Sequence, residues 1–351
     1  MTVVKNNKLK RVLVAPLDWG LGHATRCIPL IRRLLDDGNQ VFLAGSGASG
    51  FLLHAEFPQL DYQEIPSHTI RYGQTGEPLW WATLKQIPAL FQQINAEKKW
   101  LRDYLQTHPL DQVISDNRYG LHHPDIQNIL ITHQLGIRSG VSRLTDKILQ
   151  LLLIRLLKNF QEIWVPDHEQ EPSLSGELGH PTCRVPVPVK YIGPLSRFTP
   201  THPPIQKDSI TIVLSGPEPQ RTLLEEKCLR ELGGCKQEIR LIRGLPKGGP
   251  SIHPPSHWQV LDHLPTEALQ RIIETAALII SRSGYSTLMD LDALQKKAIF
   301  IPTPGQPEQA YLAGWIQGRN GWVSIDQKDS LLQAIERLHE QEKIRDTFAS
   351  T

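Results

Sequence analysis

The stretch RVLVAPLDWGLGHATRC (residues 11–27) holds the pattern that indicates the fold. RVLVA (11–15) is a short unbroken apolar run, typical of a strand that is buried on both faces. After a turn with Gly20 and Gly22, apolar residues recur on one helical face: Cys27, Ile28, Ile31, Leu34 and Leu35. Gly38 follows where such a helix would end. A buried strand that runs through glycines into an amphipathic helix predicts the first unit of a parallel α/β sheet.

Composition and charge are those of an ordinary globular protein. The chain has 351 residues, of which 40% are hydrophobic and 21% charged, and a formal net charge of +2. This length predicts two domains, and the nearly neutral charge argues against a nucleic-acid-binding protein. The four cysteines form no CxxC pair, so neither a zinc site nor a redox motif is indicated. Because no signal peptide or membrane-spanning run is visible, we expect a cytoplasmic protein.

Strands and helices alternate along both halves of the chain. In the first half, strands are predicted at 40–44, 60–65, 111–115, 128–132 and 162–166, with a long helix near 84–107. In the second half, the pattern restarts with strands within 209–216, 238–244, 257–264, 277–284, 298–305 and 322–325. The proline-rich segment 181–204 reads as a linker. We therefore predict two doubly wound, Rossmann-like α/β domains, 1–196 and 197–351, with a cleft between them.

Glycine-containing loops follow several of these strands, at the edge where open α/β sheets bind ligands. GLGH (20–23) comes first, and a helix that begins there offers free N–H groups to an anion. SGPEPQ (215–220), SRSGYSTLMD (281–290) and PTPGQPEQ (302–309) repeat the arrangement in the second half. Each loop alone is also consistent with a plain turn. Together their small, hydroxyl and amide groups predict a nucleotide site.

These motifs resemble glycosyltransferases of the GT-B fold, and most of all the family 28 peptidoglycan N-acetylglucosaminyltransferase. The resemblance covers nearly the whole chain and is more specific in the C-terminal half. SRSGYSTLMD resembles that family's R-S-G segment, whose acidic residue eight positions after the arginine binds ribose hydroxyls. This implies a ribose contact for Asp290, with Ser283 and Gly284 at the turn. The family has Glu at this position, so the shorter Asp is a departure.

The resemblance also implies further donor contacts. GQPEQ resembles the acidic and amide pair on the donor sugar, which assigns Glu308 and Gln309 to the sugar and Gln306 beside it. SGPEPQ resembles the diphosphate loop, here Ser215 and Gly216. GPLSR (193–197) resembles a linker segment whose arginine, here Arg197, reaches the diphosphate. HWQVLDHL (257–264) resembles the segment whose backbone binds the base, around Leu261.

The N-terminal motif departs from that family, which has a longer glycine run. GLGHATRC is also similar to the G-x-G-H-x-x-R-C turn of a nucleotide-sugar hydrolase. In both relatives the histidine is the candidate base, which implies that His23 accepts the proton of the nucleophile and that Gly20 and Gly22 leave room for an acceptor. Arg26 either binds an acidic group or is solvated, and the solvated interpretation is favoured.

Other candidate residues have open alternatives. Asp116 is expected in the site as an acceptor contact or as the group that orients His23, although a turn-forming Asp-Asn fits equally. His133 is expected near the acceptor or as a structural hydrogen-bonding group. The segment 66–81 fits an acceptor lid or a packed surface loop. The helix predicted at 147–160 fits a membrane-surface helix or, as favoured here, a buried one.

The sequence thus predicts a metal-independent glycosyltransferase of the hexosyl-transferring type, with a nucleotide-sugar donor, most simply UDP-linked. We expect this enzyme to use neither a cofactor nor a metal. The sequence does not identify the acceptor: a lipid-linked acceptor and a small sugar both fit, and weak peripheral contact at the inner membrane face is an open alternative. Two alternatives stay open: a hydrolase of the same fold, and a protein that binds a nucleotide sugar without turnover.

Overall fold

The computed structural model describes residues 9–18, 20–66, 79–138, 142–246, 248–338 and 340. Two compact units divide the chain, Met1–Arg197 and Phe198–Thr351. The boundary falls one residue after the one expected from sequence. None of the helices in the described ranges combines the length and the apolar character that crossing a membrane requires.

The first unit alternates strands and helices as its sequence pattern predicts. Its elements are β1 (Arg11–Pro16), α1 (Leu21–Asp36), β2 (Gln40–Gly45), α2 (Gly47–Glu56), β3 (Tyr62–Glu64), α3 (Leu79–Leu105), β4 (Gln112–Asp116), β5 (Gln127–Ile131), α4 (Arg143–Leu157), β6 (Glu162–Val165) and β7 (Val189–Tyr191). The strands form one parallel sheet in the order β3-β2-β1-β4-β5-β6-β7.

Strand β1 lies in the middle of this sheet and is covered on both faces. Val12 and Val14 belong to a core on one face that includes Ile28 of α1. Leu13 and Ala15 belong to the core on the other face, which includes Leu101 of α3. Successive side chains of a strand point to opposite faces, so a strand with helices on both sides must be apolar at every position. This is the physical reason for the unbroken apolar run.

The second unit has the same organisation. Its elements are β8 (Gln206–Val213), α5 (Gln220–Leu232), β9 (Glu238–Ile242), β10 (Trp258–Leu261), α6 (Thr266–Thr275), β11 (Ala276–Ser281), α7 (Tyr285–Ala293), β12 (Ala298–Phe300), α8 (Pro307–Trp315) and β13 (Trp322–Ser324). The parallel sheet has the order β10-β9-β8-β11-β12-β13. The prediction of two doubly wound α/β domains is confirmed.

Several details differ from the sequence interpretation. The linker expected at 181–204 contributes β7, the edge strand of the first sheet, because three residues of it pair with β6. Helix α2 has no counterpart among the elements expected from the sequence. The lid proposed for 66–81 lies mostly at 67–78, outside the described residues. In the C-terminal segment, residues 331–338 are helical and pack on the core of the second unit through Leu331 and Ile335.

The prediction of a mainly buried helix at 147–160 is wrong for helix α4. Only Leu153 and Leu157 of this helix are buried, whereas Leu144, Ile148 and Leu151 are 69%, 59% and 68% exposed. The helix is apolar on more than one face, so the sheet can cover only part of its apolar surface. The remainder faces outward.

Candidate functional site

The first sheet reverses its strand order between β1 and β4. These two strands run parallel, with Pro16 and Asp116 as the last paired residues. Chain connections leave such a reversal in opposite directions and open a crevice at the carboxyl edge, where doubly wound sheets bind ligands. The two residues predicted to be catalytic, His23 and Asp116, both lie at this edge.

The turn from β1 into α1 requires glycine at its entry. Gly20 is the N-cap of α1 with φ of 100°, a left-handed value that costs a residue with a Cβ atom about 1–2 kcal/mol. A Cβ atom there would meet no described atom within 4 Å, so the requirement is conformational. Gly22 lies in the first turn, and its carbonyl oxygen accepts a hydrogen bond from Thr25 Oγ1 at 3.0 Å. His23 follows directly in this first turn.

A buried carboxylate orients His23. The Nδ1 atom of His23 lies 2.9 Å from Asp116 Oδ1, and the two side chains are 16% and 0% exposed. Burial opposes ionisation of Asp116, but the positive charge of Arg26 and the contact with His23 outweigh it and hold the pKa of this carboxyl well below its usual range. An ionised carboxylate only accepts hydrogen bonds. His23 therefore donates from Nδ1 and keeps the Nε2 lone pair that a general base needs.

Arg26 is buried, which corrects the favoured interpretation of a solvated side chain. It is 2% exposed, and its Nε donates to Asp116 Oδ2 at 2.5 Å while its Nη2 donates to Oδ1. This fork geometry matches a carboxylate, and the paired charge offsets the desolvation of the guanidinium. The spacing of three residues places His23 and Arg26 on one helical face, which is the signal that could have revealed the contact.

His133 and Cys27 complete this buried group. His133 follows β5, is 3% exposed, and has its Nδ1 atom 3.1 Å from Arg26 Nη1. The Cys27 thiol donates to Asp116 Oδ2 at 3.7 Å, and burial raises the pKa of this thiol well above its usual range. Cys27 is therefore a protonated neighbour of the carboxylate. The sequence predicts His133 near the acceptor or as a structural hydrogen-bonding group, and it gives no prediction for Cys27.

A polar cavity lies at the same carboxyl edge, beyond β2 and β3. Its volume is about 530 Å³, and its lining includes Asp18, Ser46, Glu64 and Trp100. Asp18 Oδ1 accepts a hydrogen bond from the backbone N–H of Ser49 at 3.2 Å. The Trp100 ring stacks on Tyr104 with the centroids 5.0 Å apart, which limits its rotation. Carboxylates, a hydroxyl group and an aromatic ring suit a ligand with hydroxyl groups.

The second sheet reverses its order between β8 and β11, so its carboxyl edge has the same crevice geometry. Val213 pairs with Ser281 at the ends of these strands. After β8, Ser215 and Gly216 are exposed, and Gly216 has a φ of 100°. After β11, Gly284 is the N-cap of α7. The predicted diphosphate loop and the predicted R-S-G turn thus lie on adjacent strands of one sheet.

Arg282 joins the loops of this edge, a role that is not predicted from the sequence. It is 1% exposed. Its Nη1 atom donates to the carbonyl oxygens of Ile301 and Pro302 at 3.2 Å and to Gln327 Oε1 at 2.8 Å. Its Nη2 atom donates to the carbonyl oxygen of Gln220 at 2.6 Å. Burial lowers the pKa of Arg282 to about 10, so the group stays charged at neutral pH.

The residues predicted near the donor sugar hold their loop together. Gln309 Oε1 accepts from the backbone N–H of Thr303 at 2.8 Å, and Gln309 Nε2 donates to Gln306 Oε1 at 2.6 Å. Ser283 Oγ donates to the carbonyl oxygen of Gln309 at 2.9 Å. The Thr303 hydroxyl is buried, and no described residue pairs with it. The structure therefore brings Ser283, Gln306 and Gln309 together at one edge.

The remaining donor-site candidates occupy separate positions. Asp290 lies in α7 and is 8% exposed, and Glu308 lies half-buried in the first turn of α8. Leu261 ends β10, where its carbonyl oxygen accepts from the backbone N–H of Arg243 at 2.9 Å. Arg197 is the last residue of the first unit. Their contacts with a donor stay predictions.

Comparison with known proteins agrees with the fold and with the C-terminal motifs. Residues 263–347 match the model of the glycosyltransferase family 28 C-terminal domain. No sequence among the curated proteins matches the chain. The chain therefore resembles family 28 within its second unit.

Solved structures resemble the chain over nearly its whole length. The glycotransferase of kitacinnamycin has a TM-score of 0.66 at 13% identity, with 95% of this chain and 90% of that chain covered. The calicheamicin glycosyltransferase CalG4 has a TM-score of 0.62 at 12% identity, with 97% and 92% covered. The glycosyltransferase SnogD from Streptomyces nogalater has a TM-score of 0.62 at 14% identity, with 93% and 90% covered. These likenesses confirm the predicted GT-B fold.

Proposed function

We propose that this protein is a glycosyltransferase that moves a hexosyl group from a UDP-linked sugar to an acceptor hydroxyl. The family match and the fold neighbours support a glycosyltransferase. The observation that carries the mechanism is the 2.9 Å contact between His23 Nδ1 and Asp116 Oδ1. It leaves Nε2 of His23 as the proton acceptor at the carboxyl edge of the first sheet.

The reaction is a direct displacement at the anomeric carbon. As the acceptor oxygen attacks, its proton passes to His23 Nε2, and the bond from the anomeric carbon to the diphosphate oxygen breaks. Asp116 fixes the ring and stabilises the imidazolium that forms. A positioned base of this kind contributes about 10²- to 10⁴-fold to the rate. No metal enters this proposal, because backbone N–H groups at helix N-termini and Arg197 stabilise the leaving diphosphate.

The donor is assigned to the second unit. Ser215 and Gly216 lie before α5, and Ser283 and Gly284 lie at the start of α7, where free N–H groups and the helix dipole favour an anion. In the proposal, Asp290 accepts hydrogen bonds from the ribose hydroxyls, and the backbone near Leu261 binds the base. The sugar hydroxyls contact Gln306, Glu308 and Gln309. The joined loops around Arg282 support part of this assignment, since Ser283, Gln306 and Gln309 are linked at one sheet edge.

The acceptor is assigned to the first unit, next to Gly20, Gly22 and His133. The cavity with Asp18, Glu64 and Trp100 supports an acceptor that carries a sugar-like group. An aromatic ring packs against the apolar face of such a group, and carboxylates accept its hydroxyl protons. The apolar and basic face of α4 supports weak contact with an anionic membrane, which suits a lipid-linked acceptor.

The proposal is tested by UDP release. A panel of UDP-sugars is first screened by thermal shift, because a ligand that binds only the folded state raises its stability. With the donor that binds, UDP release is measured with and without simple glycosides and polyprenyl-linked sugars. We expect slow release from donor alone, faster release with one acceptor, and a loss of about 10²- to 10⁴-fold in turnover in His23→Gln.

An exposed histidine supplies the control. His253 is exposed and lies outside the predicted base-binding segment 257–264, so His253→Gln should leave turnover unchanged. Rapid, His23-dependent release of UDP and free sugar that no acceptor diverts would instead establish a hydrolase. Tight donor binding without release under any condition would establish a binding protein.

A further inference from the structure

Two histidines contact one guanidinium at the edge between β1 and β4. Arg26 Nη2 lies 3.0 Å from His23 Nδ1, and Arg26 Nη1 lies 3.1 Å from His133 Nδ1. A guanidinium carries only donors, whereas an imidazole nitrogen either donates or accepts depending on its proton. These contacts therefore restrict where each ring carries its proton.

At His133 the assignment is direct. Its Nδ1 atom faces an N–H group of Arg26, so Nδ1 must be the accepting nitrogen. A neutral imidazole carries one proton, which then resides on Nε2. His133 can donate from Nε2 and cannot accept there.

At His23 the contact with Asp116 favours the opposite tautomer. Its Nδ1 atom is also 2.9 Å from Asp116 Oδ1. A bare Nδ1 would place a lone pair against a full negative charge, whereas a protonated Nδ1 satisfies the carboxylate. Arg26 Nη2 carries two N–H groups: one donates to the same Oδ1, and only the other faces Nδ1, at 3.0 Å, which is longer than the contact of Nδ1 with the charged carboxylate. The proton of His23 therefore resides on Nδ1, and Nε2 is the accepting atom.

We propose that Arg26 is a positioning residue that sets opposite tautomers on the two histidines. It holds Asp116 with Nε and Nη2, so that the carboxylate selects the Nδ1–H form of His23. With Nη1 it selects the Nε2–H form of His133. The site then combines one accepting nitrogen and one donating nitrogen. The value of this pair for catalysis rests on the proposed function, but the tautomers themselves do not.

Histidine-selective ¹⁵N labelling tests the proposal without any substrate. Long-range ¹H–¹⁵N correlation spectra at pH 7.5 distinguish protonated from bare ring nitrogens, and His23→Gln and His133→Gln assign the two rings. We expect the Nδ1–H form at His23 and the Nε2–H form at His133. In Arg26→Lys, which keeps the charge but loses the fork, we expect the Nε2–H form of His133 to lose its dominance.

The exposed Arg230 supplies a matched control, since its side chain is 68% exposed and Arg230→Lys should leave both rings unchanged. The same tautomer on both wild-type histidines would overturn the proposal, even if Arg26→Lys does not fold. Unchanged spectra in a folded Arg26→Lys would overturn it as well. Opposite tautomers in a protein that never turns over a donor would support this proposal while refuting the proposed function.

Discussion

Arg26 and Asp116 form a buried, two-pronged ion pair between the first turns of α1 and the end of β4. The donors are Nε and Nη2 of the arginine, and the acceptors are the two carboxylate oxygens. Asp116 therefore meets three cationic or donor groups, because His23 and Cys27 contact it too. The carboxylate that orients the proposed base is itself fixed by the helix that carries the base.

Loss of one partner of this pair should be costly. Removing Asp116 as Asp116→Leu leaves the buried charge of Arg26 unpaired, which typically destabilises a protein by about 3–5 kcal/mol. The double variant Arg26→Met with Asp116→Leu should cost less than the single one, since no buried charge remains. Urea unfolding monitors both. Asp125→Asn is the control, because the Asp125 side chain is 84% exposed, and a double variant whose costs simply add would contradict the expectation.

His122 should make stability depend on pH in the mildly acidic range. Burial lowers its pKa to about 4, with Lys98 and His123 adding repulsion. The folded pKa lies below the unfolded value of about 6.5, so the contribution of His122 is complete above about pH 6.5 and is lost as the pH falls toward 4. We expect a loss of about 1 kcal/mol between pH 7 and pH 5, discounted for partial exposure.

Replacement of His122 tests whether this residue causes the loss of stability at lower pH. His122→Phe keeps a ring beside Phe160, whose centroid is 5.9 Å away, and should flatten the profile of unfolding free energy between pH 7 and pH 5. The exposed His257 provides the comparison through His257→Phe. Asp116 does not affect this pH range. The pKa of its carboxyl group is lowered in the folded protein, so its contribution to the free energy of unfolding is lost only below about pH 4. A profile as steep in His122→Phe as in the unsubstituted protein would refute the assignment.

Asp290→Asn should weaken donor binding without unfolding the second unit. If the carboxylate accepts two ribose hydroxyl bonds, its loss should cost about 1.5–3 kcal/mol, which corresponds to roughly 10- to 150-fold in the Kd for UDP. Isothermal titration calorimetry measures the change. Asp292→Asn, two positions along α7, is the matched control. Equal UDP affinity in Asp290→Asn and the unsubstituted protein would remove Asp290 from the donor site.

Arg282→Lys should loosen the donor edge of the second sheet. A lysine cannot reach the four acceptors that the two Nη atoms bind, so buried carbonyl oxygens lose their partners. We expect about 2–3 kcal/mol lower stability together with weaker UDP binding, measured by urea unfolding and calorimetry. Arg230→Lys on the surface of α5 should do neither. Lower stability with unchanged UDP affinity would show that Arg282 supports the sheet alone.

Helix α4 should bind anionic vesicles weakly. Its exposed face combines Leu144, Ile148 and Leu151 with basic residues. Apolar burial in the bilayer and attraction to anionic lipids are the two contributions that hold a helix at a membrane surface. Co-sedimentation with phosphatidylglycerol vesicles should fall with added salt and disappear in Arg155→Glu with Lys158→Glu. Neutral phosphatidylcholine vesicles are the comparison. Binding that the charge reversal leaves intact would assign the contact elsewhere.

Local pattern is sufficient to predict most of the fold. The apolar run of β1 and the helical period of α1 are patterns among neighbouring residues, so the local sequence is sufficient to predict each element. Parallel strands alternating with helices admit few topologies, and the carboxyl edge then locates loops such as GLGH and SRSG. For this reason the sequence alone places His23 and the predicted donor loops at strand ends. Helix α2 and strand β7 escape prediction because their patterns are short and β7 lies in a proline-rich segment.

The partners of the buried charges are decided only by the tertiary structure. Arg26 and Asp116 are 90 positions apart in the chain, and a lone arginine on a helix looks the same in sequence whether it faces water or a carboxylate. From the sequence, Arg282 is likewise predicted only as part of a turn, and its role follows from the three separate loops that meet around it in the folded protein. The exposed face of α4 follows from the same limit, because periodicity shows which faces are apolar but the sheet decides which of them is covered. Pairing across the chain depends on strand order, and strand order is a property of the whole sheet.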